Sequence, residues 1–457
     1  MTAKKGKKTL VEQDLNPVLL EPVNITDYTN QYYKEYSLYV IQSRALPNYI
    51  DGLKVVQRKL IYAALQLAAN KKIKVAELGS SLSSYEYLHG ETSAQDALVS
   101  MAAPWKNNIP LFDGHGNFGS RLIQESAAPR YIYASLSDTF KNTFSDFAVV
   151  DSRSDNPEPI TYLPVIPWSL INGISGVAVG FACNILPRDW NDIRKACIEY
   201  ISKGVIKAPI NVKYPHFNGS VELLDDGRWA TYGIVNKEKT GRKEYYVISE
   251  LPIGYDREKY FSFLLKLKEA GKISDFDDDC NKDGFKFIVY TTPDQNKSIE
   301  KDRIKFFGLI KTETENLSTI DENGELRIFS GVNDLIAAFC NFRLQKSKES
   351  LAYSVGVSIV KLNELLVKKQ FIQHVVDNII NLKDFTKKEL LSYVLNLGDI
   401  DSETADKIIS IPSYSFTKDN ILELDKTIKK VTDELNKLKN SNEKDILLDK
   451  LKKLNLD

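Results

Sequence analysis

The chain has 457 residues, which at about 150 residues per domain points to roughly three domains, and its 61 Lys plus Arg balance 61 Asp plus Glu. A hydrophobic fraction of 43% and a charged fraction of 27% are those of a folded globular protein, which excludes a wholly disordered chain, a collagen and a disulfide-framed miniprotein. A protein that coats nucleic acid through bulk charge is excluded as well: if DNA is bound, the positive charge has to be local.

Residues 1–27 read as a polar arm. Its first eight residues are basic but have no apolar run behind them, so no secretory signal is expected. From Tyr28 to about Ala69 apolar residues recur at helical spacing, broken at Pro47 and Gly52. A second helix is expected from Thr92, where Thr92-x-x-Gln95 fits a capping box ahead of the stripe Ala94, Ala97, Leu98 and Met101. Residues 105–130 are rich in Gly, Pro and Asn and read as loop. Residues 159–187 carry no charge over a length that could span a bilayer, but four prolines and three glycines break any helix there. A buried, turn-rich segment is expected instead, with no membrane partner.

Residues 160–328 mix strands, turns and short helices, with the clearest strands at 245–248 and 285–290. From about Asn333 the chain reads as helix. Ile421, Leu424, Ile428, Val431, Leu435 and Leu438 are spaced 3, 4, 3, 4, 3, an a/d seam. Leu351, Val355, Ile359, Leu362 and Leu366 are its expected antiparallel partner, and the residues between the two runs suffice for a small helical knob.

Several short motifs fail on their own chemistry. Gly114-His115-Gly116-Asn117-Phe118-Gly119 spells G-x-G-x-x-G without the strand–helix context a dinucleotide needs. Asp279 to Gly284 resembles the front of a calcium loop, but Tyr290 stands where the bidentate acid belongs. The four histidines and four cysteines show no metal spacing, and the sparse cysteines fit a reducing compartment.

The informative stretch is 44–131. Arg44, Lys54, Arg58 and Lys59 face only Asp51 as an opposing charge, and a helix starting near Thr92 would offer free N–H groups to a phosphate. Arg130-Tyr131 follows the glycine loop. A phenol of ordinary pKa about 10 is a better leaving group than a sugar hydroxyl. A tyrosyl phosphodiester would therefore stay reactive and reseal without ATP, while the guanidinium held the phosphate oxygens.

Four stretches together resemble the DNA-cleavage subunit of type IIA topoisomerases, the gyrase A and topoisomerase IV family, and within it most nearly the medium subunits of phage enzymes. They are Arg44 to Pro47 with Asp51 to Lys59; His89 to Thr92; Asp113 to Ser120 with Ala127 to Tyr131; and Asn172 to Gly180. The resemblance implies an α+β chain. A winged-helix (CAP-like) DNA-gate domain would occupy 28–158 and a mixed α/β tower domain 159–330. A long antiparallel coiled coil with a helical C-gate knob would fill 331–457. It implies Tyr131 as nucleophile, Arg130 at the scissile phosphate, and Arg44, Lys54, Gln57, Arg58, Lys59, His89, Thr92, Asp96, Ser120 and Val177 against DNA. Thr92 and Asp96 fall where the family meets quinolone-type poisons. Val177 holds the place of a DNA wedge that is usually Ile, and Leu88, Tyr87 and Val55 replace a frequent Pro, His and Pro.

By the same resemblance the enzyme is an ATP-dependent, homodimeric topoisomerase that relaxes and decatenates double-stranded DNA without gyrase-type wrapping. It acts in a bacterial or phage-infected cytoplasm. Mg2+ and ATP are expected on a Toprim/ATPase partner subunit. The rival reading is a winged-helix and coiled-coil scaffold that binds DNA without chemistry.

Overall fold

A computed structural model describes residues 24–68, 71–144, 146–152, 158–241 and 243–456. Most of the expected N-terminal arm, residues 1–23, lies outside them. A helical stretch over 25–45 alternates α- and π-turns and ends where Pro47 forbids continuation. The Val55–Ala68 helix follows, then Val75–Ser81 and Glu91–Ala102. They pack on a three-stranded antiparallel sheet in which Tyr133–Leu136 lies between Ile73–Lys74 and Phe112–His115. These helices and this sheet lie within 28–158, the stretch for which a winged helix is expected. Phe112–His115, read from sequence as loop, is a strand because its partner Tyr133–Leu136 pairs with it along all four residues.

The apolar stripe of Glu91–Ala102 is buried at Ala94, Leu98 and Met101. The expected capping box at Thr92 does not form. The helix begins one residue earlier, with Gly90 as an extended N-cap (φ −61°, ψ 148°), which puts Thr92 inside the first turn.

Residues 159–187 are not a span. Tyr162, Leu163, Val165, Ile166, Trp168, Leu170 and Ile171 enter the same buried cluster as the winged helix, as does the Trp190–Lys203 helix. The expected boundary at 158/159 therefore falls within a shared core. A second cluster lies under the four-stranded sheet in which Phe287–Tyr290 is paired with Asp275–Asp278 and Lys243–Glu250, and the last with Ile234–Thr240. The Arg257–Glu269 helix covers it with Tyr260 and Leu264.

Val332–Val376 is one helix of 45 residues, about 68 Å at 1.5 Å per residue. By length and hydropathy alone it could cross a membrane. The apolar stretch that meets this test is only 6% buried within the chain, whereas the start of the helix is buried in the main core through Leu335, Ile336, Phe339 and Cys340. Further along it carries the antiparallel Lys418–Asn440 helix, tied by Lys369 to Asp425 at 2.6 Å. Ile421, Leu424, Val431 and Leu435 are buried, as the seam requires. On the long helix the expected partner run drifts off the seam: Ile359 and Leu366 are exposed, while Ser358 and Leu365 are partly covered. Two successive steps of four overshoot a 3.5-residue repeat, so the covered face moves back by one position. The knob between the helices is built from Lys387–Leu395 and Ser402–Ile409 over a core of Val367, Phe371, Ile380, Val394 and Ile408. Glu443–Lys453 then returns to the main core through Leu447 and Leu451.

Candidate nucleic-acid interface

Tyr131 stands immediately before buried Ile132, two residues ahead of the central strand. Its N–H donates to the Ala128 carbonyl at 2.9 Å. On either side, Val75 N–H donates to Ile132 O at 3.0 Å and Ala76 N–H to Pro129 O at 3.2 Å. The backbone is thus fixed to the winged helix while the side chain is 67% exposed. The Arg130 guanidinium lies 4.7 Å from the Tyr131 ring centroid, which holds a fork of donors beside the phenol.

The loop leading there begins at Gly114 to Gly119. Gly119 has φ +78°, and a Cβ on it would lie 2.7 Å from the Gln124 carbonyl oxygen. Ser120 closes the turn, donating its N–H to Ile123 O at 2.7 Å while its Oγ accepts from Ile123 N–H at 3.2 Å. No helix opens at these glycines, so the loop is not a dinucleotide cradle.

Beside this loop is a cavity of about 670 Å³ lined in part by Arg44, Lys54, Gln57, His89 and Lys106. Among the described residues no carboxylate ion-pairs with Arg44, Lys54 or Lys106. Burial lowers the Lys54 ammonium pKa, Cys183 opposes it in part, and Lys106 adds a smaller lowering; burial alone lowers Lys106. Cations lining one cavity without a carboxylate partner make a site for an anion. Lys106 was missed in the sequence because it stands alone in a loop, and only the fold brings it to Lys54. Gln57 lines the cavity while its Oε1 accepts from Lys54 N–H at 2.9 Å, capping the Val55–Ala68 helix. His89 Nε2 lies 3.3 Å from Tyr39 Oη.

Arg58 and Lys59 correct the expectation that they line the DNA seat. Arg58 is 6% exposed and binds Asp51 with Nε at 2.7 Å and Nη2 at 3.1 Å; Lys59 is 3% exposed and pairs with Glu158 at 2.6 Å. Burial works against the Arg58 cation, but Asp51 outweighs it and raises the pKa. A helix has an inner face, and these two positions fall on it.

Tyr131, Arg130, Thr92, Asp96, Ser120 and Val177 do not line the cavity. Thr92 and Asp96 are exposed one turn apart on Glu91–Ala102. Val177 is 84% exposed at the end of the Ile174–Val177 strand, whose hairpin partner is Ala182–Ile185. Val179 and Phe181 are also exposed there, so the tip is apolar and open to water. Gly176 lets the hairpin seat: a Cβ there would lie 2.0 Å from the Ala45 carbonyl oxygen.

A rigidly held, water-exposed phenol beside a guanidinium, in a chain that also offers Arg44, Lys54 and Lys106 without carboxylate partners, is suited to breaking DNA rather than only gripping it. Comparison with known proteins puts the chain in that class, the type II DNA topoisomerases. A family model for the A subunit of DNA gyrase/topoisomerase IV matches residues 44–456. The DNA topoisomerase medium subunit of Enterobacteria phage T4 is 35% identical over 85% of this chain and 89% of its own length. DNA topoisomerase 2 of Invertebrate iridescent virus 6 is 28% identical over 92% of this chain, which spans 37% of that longer protein. The solved DNA-binding, cleavage and re-ligation domain of Plasmodium falciparum topoisomerase II superposes with a TM-score of 0.84 at 26% identity, covering 93% of this chain and 63% of that one.

The chain therefore belongs to the family of DNA gyrase/topoisomerase IV A subunits, the DNA-breaking subunits of type II topoisomerases. The passive scaffold is not favoured by these relatives. The family uses Mg2+ and ATP. Among the described residues no three His, Cys, Asp or Glu side chains converge to hold a metal ion.

Proposed function

We propose that Tyr131 is the nucleophile that opens the DNA backbone. Its Oη bonds to phosphorus as the P–O3′ bond breaks, and the departing 3′ oxygen takes up the proton the phenol gives up, leaving a 5′-phosphotyrosyl link. Reversal reseals the strand without ATP, because the phosphodiester energy is retained in the adduct. Arg130 supports the reaction by binding the non-bridging oxygens as charge develops on them. Arg44, Lys54 and Lys106 receive backbone phosphates, His89 and Gln57 border them, and the exposed Thr92, Asp96 and Ser120 approach the duplex. Val177 enters the base stack as an apolar wedge and bends the DNA.

Mg2+, held mainly by a Toprim/ATPase partner subunit that also binds ATP, supplies Lewis acidity at the scissile phosphate. Two copies of the chain, joined through the knob at the C-gate, present two Tyr131 groups to one duplex, as a two-fold target requires. They act in the cytoplasm of a bacterial or phage-infected cell. The observation that carries the proposal is the exposed Tyr131 phenol fixed beside Arg130. The test is to denature a reaction of the reconstituted complex with end-labelled DNA: protein-linked label is expected, and its absence makes the chain a DNA clamp.

A further inference from the structure

The loop that leads to Tyr131 is held from two sides, and the mechanism uses only one of them. At its base Ala127 N–H donates to Asn117 O at 2.9 Å, on the winged-helix side. Its tip, Arg121 and Leu122, reaches residues 216–285, around the four-stranded sheet. Arg121 Nη1 donates to Glu250 Oε1 at 2.7 Å and to the His216 carbonyl at 3.0 Å, and Nη2 donates to the Leu251 carbonyl at 2.9 Å. Its guanidinium carbon also lies 5.2 Å from the Phe217 ring centroid and 5.3 Å from that of Phe285.

Glu250 is buried at the end of the Lys243–Glu250 strand and accepts further from Asn218 N–H at 3.0 Å and Leu251 N–H at 2.9 Å. Leu122 packs into the cluster under the four-stranded sheet, and its carbonyl accepts from Arg257 N–H at 3.1 Å, at the first residue of the Arg257–Glu269 helix. A surface loop needs none of this to stay folded. Desolvating a guanidinium and a carboxylate is costly unless their geometry is good and their remaining polar atoms are matched; here the pair meets at 2.7 Å, both terminal nitrogens of Arg121 find acceptors and both oxygens of Glu250 accept backbone N–H groups.

We propose that Arg121 is a positioning residue for DNA breakage and reunion. It hitches the Tyr131 loop to the four-stranded sheet that carries Glu250, so that the place of that sheet sets where the phenol meets the phosphate. The inference rests on Tyr131 being the nucleophile. It follows from chain length as well as contacts: Tyr131 lies nine residues beyond Leu122, and the Asn117–Ala127 bond shortens the slack, so a shift of the tip is passed to the nucleophile instead of being absorbed. The guanidinium is held by Glu250 and by the His216 and Leu251 carbonyls at the wall of the cavity, and acts on the reaction through the loop.

The experiment measures, in the complex with the partner subunit, the DNA Kd and the rate of adduct formation at saturating DNA for wild type, Tyr131→Phe, Arg121→Ala, Arg121→Lys and Glu250→Gln. A misplacement of about 1 Å costs on the order of a hundredfold in rate. Arg121→Ala is therefore expected to lose at least about tenfold in adduct rate while its DNA Kd moves by less than about threefold. Arg121→Lys, which keeps the charge but not the fork, recovers part of the rate. Glu250→Gln, which keeps size and fold, moves in the same direction by less.

If both Arg121→Ala and Glu250→Gln keep the wild-type adduct rate, or lose it only in proportion to DNA affinity, Arg121 is ordinary interdomain packing and the proposal is overturned. If Arg121→Ala is unfolded by circular dichroism, Glu250→Gln decides. A wild-type complex that forms no adduct at Tyr131 overturns the nucleophile assignment, and this inference with it. A normal wild-type adduct with indifferent variants overturns this inference alone.

Discussion

Arg58 gives two nitrogens of its fork to Asp51, whose Oδ2 also accepts from Tyr162 N–H at 3.0 Å and whose Oδ1 accepts from Leu53 N–H at 3.0 Å. Removing the cation strands a carboxylate that is 0% exposed. Arg58→Ala is therefore expected to cost about 3–5 kcal/mol of stability, read by denaturant unfolding, and to weaken DNA binding only through that loss. Lys106 is the opposite case, a cation without a counter-ion at the edge of the cavity. Lys106→Ala should leave the melting temperature within a degree or two and weaken binding to all duplex sequences alike. It should also reduce the slope of log K against log salt by about 0.9, the contribution of one phosphate contact. An unchanged slope would remove Lys106 from the interface.

From the sequence, the two kinds of lysine and arginine are indistinguishable. Arg44, Lys54, Arg58 and Lys59 are all basic residues around Asp51, and only packing puts the last two on the inner face of Val55–Ala68, while Lys106 stands alone in its loop. Tyr131 was legible for another reason: Arg130, the glycine loop and the three flanking motifs lie in one order on one strand of chain.

Among the elements, the Ile174–Ile185 hairpin carries the most specific expectation. Its strands pair in register from Ile174 with Ile185 to Val177 with Ala182, and Ala178 N–H donates to Phe181 O at 2.8 Å across the turn. The tip is a rigid apolar point. Val177→Ser keeps the hairpin but exchanges methyl groups for a hydroxyl, which costs little in water and more between bases. The DNA bend angle, measured by energy transfer between end-labelled duplex termini, is expected to fall together with the cleavage level. An unchanged bend would assign the tip another role.

The coiled-coil seam on Lys418–Asn440 was readable because six apolar residues keep a strict heptad. Its partner on Val332–Val376 was readable only to within one position: apolar residues stand on both sides of the covered face, and sequence alone does not say which side is covered. The strand Phe112–His115 escaped notice because four residues with one glycine carry almost no alternation, and pairing with Tyr133–Leu136 makes them a strand.

At the scale of the whole molecule, Asp146 joins three distant parts of the chain. It accepts from Arg343 at 2.5 Å, on a guanidinium that is 0% exposed, and from Lys450 on the returning C-terminal helix. Lys346 reaches Asp151 at 2.9 Å close by. The long helix that leads to the knob is thus rooted in the winged-helix domain through charge. Burial pushes the Asp146 carboxyl upward, but Arg343 and Lys450 outweigh it and hold its pKa below the ordinary carboxylate value.

A carboxylate with a depressed native pKa stabilises fully above its unfolded value. That stability is lost as pH falls through the native one. Thermal melts from about pH 6 down to about pH 3 should therefore show the wild type losing stability most steeply below about pH 4. Asp146→Asn should be less stable by about 3–5 kcal/mol at neutral pH, since it leaves Arg343 buried and unpaired, and its decline with acid should be shallower. Equal slopes for the two proteins would show that Asp146 does not anchor the root.

This root was invisible in the sequence. Asp146, Arg343 and Lys450 are separated by about two hundred and about one hundred residues, and nothing local marks any of them. The division into DNA gate, central α/β region and terminal coiled coil is what the motif resemblance implies, and only the change to helical periodicity near Asn333 was visible by itself. The junction was not, because residues 159–201 fold into the gate's core.

The most direct test is to find where DNA becomes attached. The complex with the partner subunit is trapped on labelled duplex, digested with protease and nuclease, and the nucleotide-bearing peptide is sequenced by mass spectrometry. The nucleotide is expected on Tyr131, and Tyr131→Phe should give no adduct while binding DNA nearly as well as wild type. A nucleotide on Tyr133 or any other side chain, or an adduct that survives in Tyr131→Phe, would contradict the account.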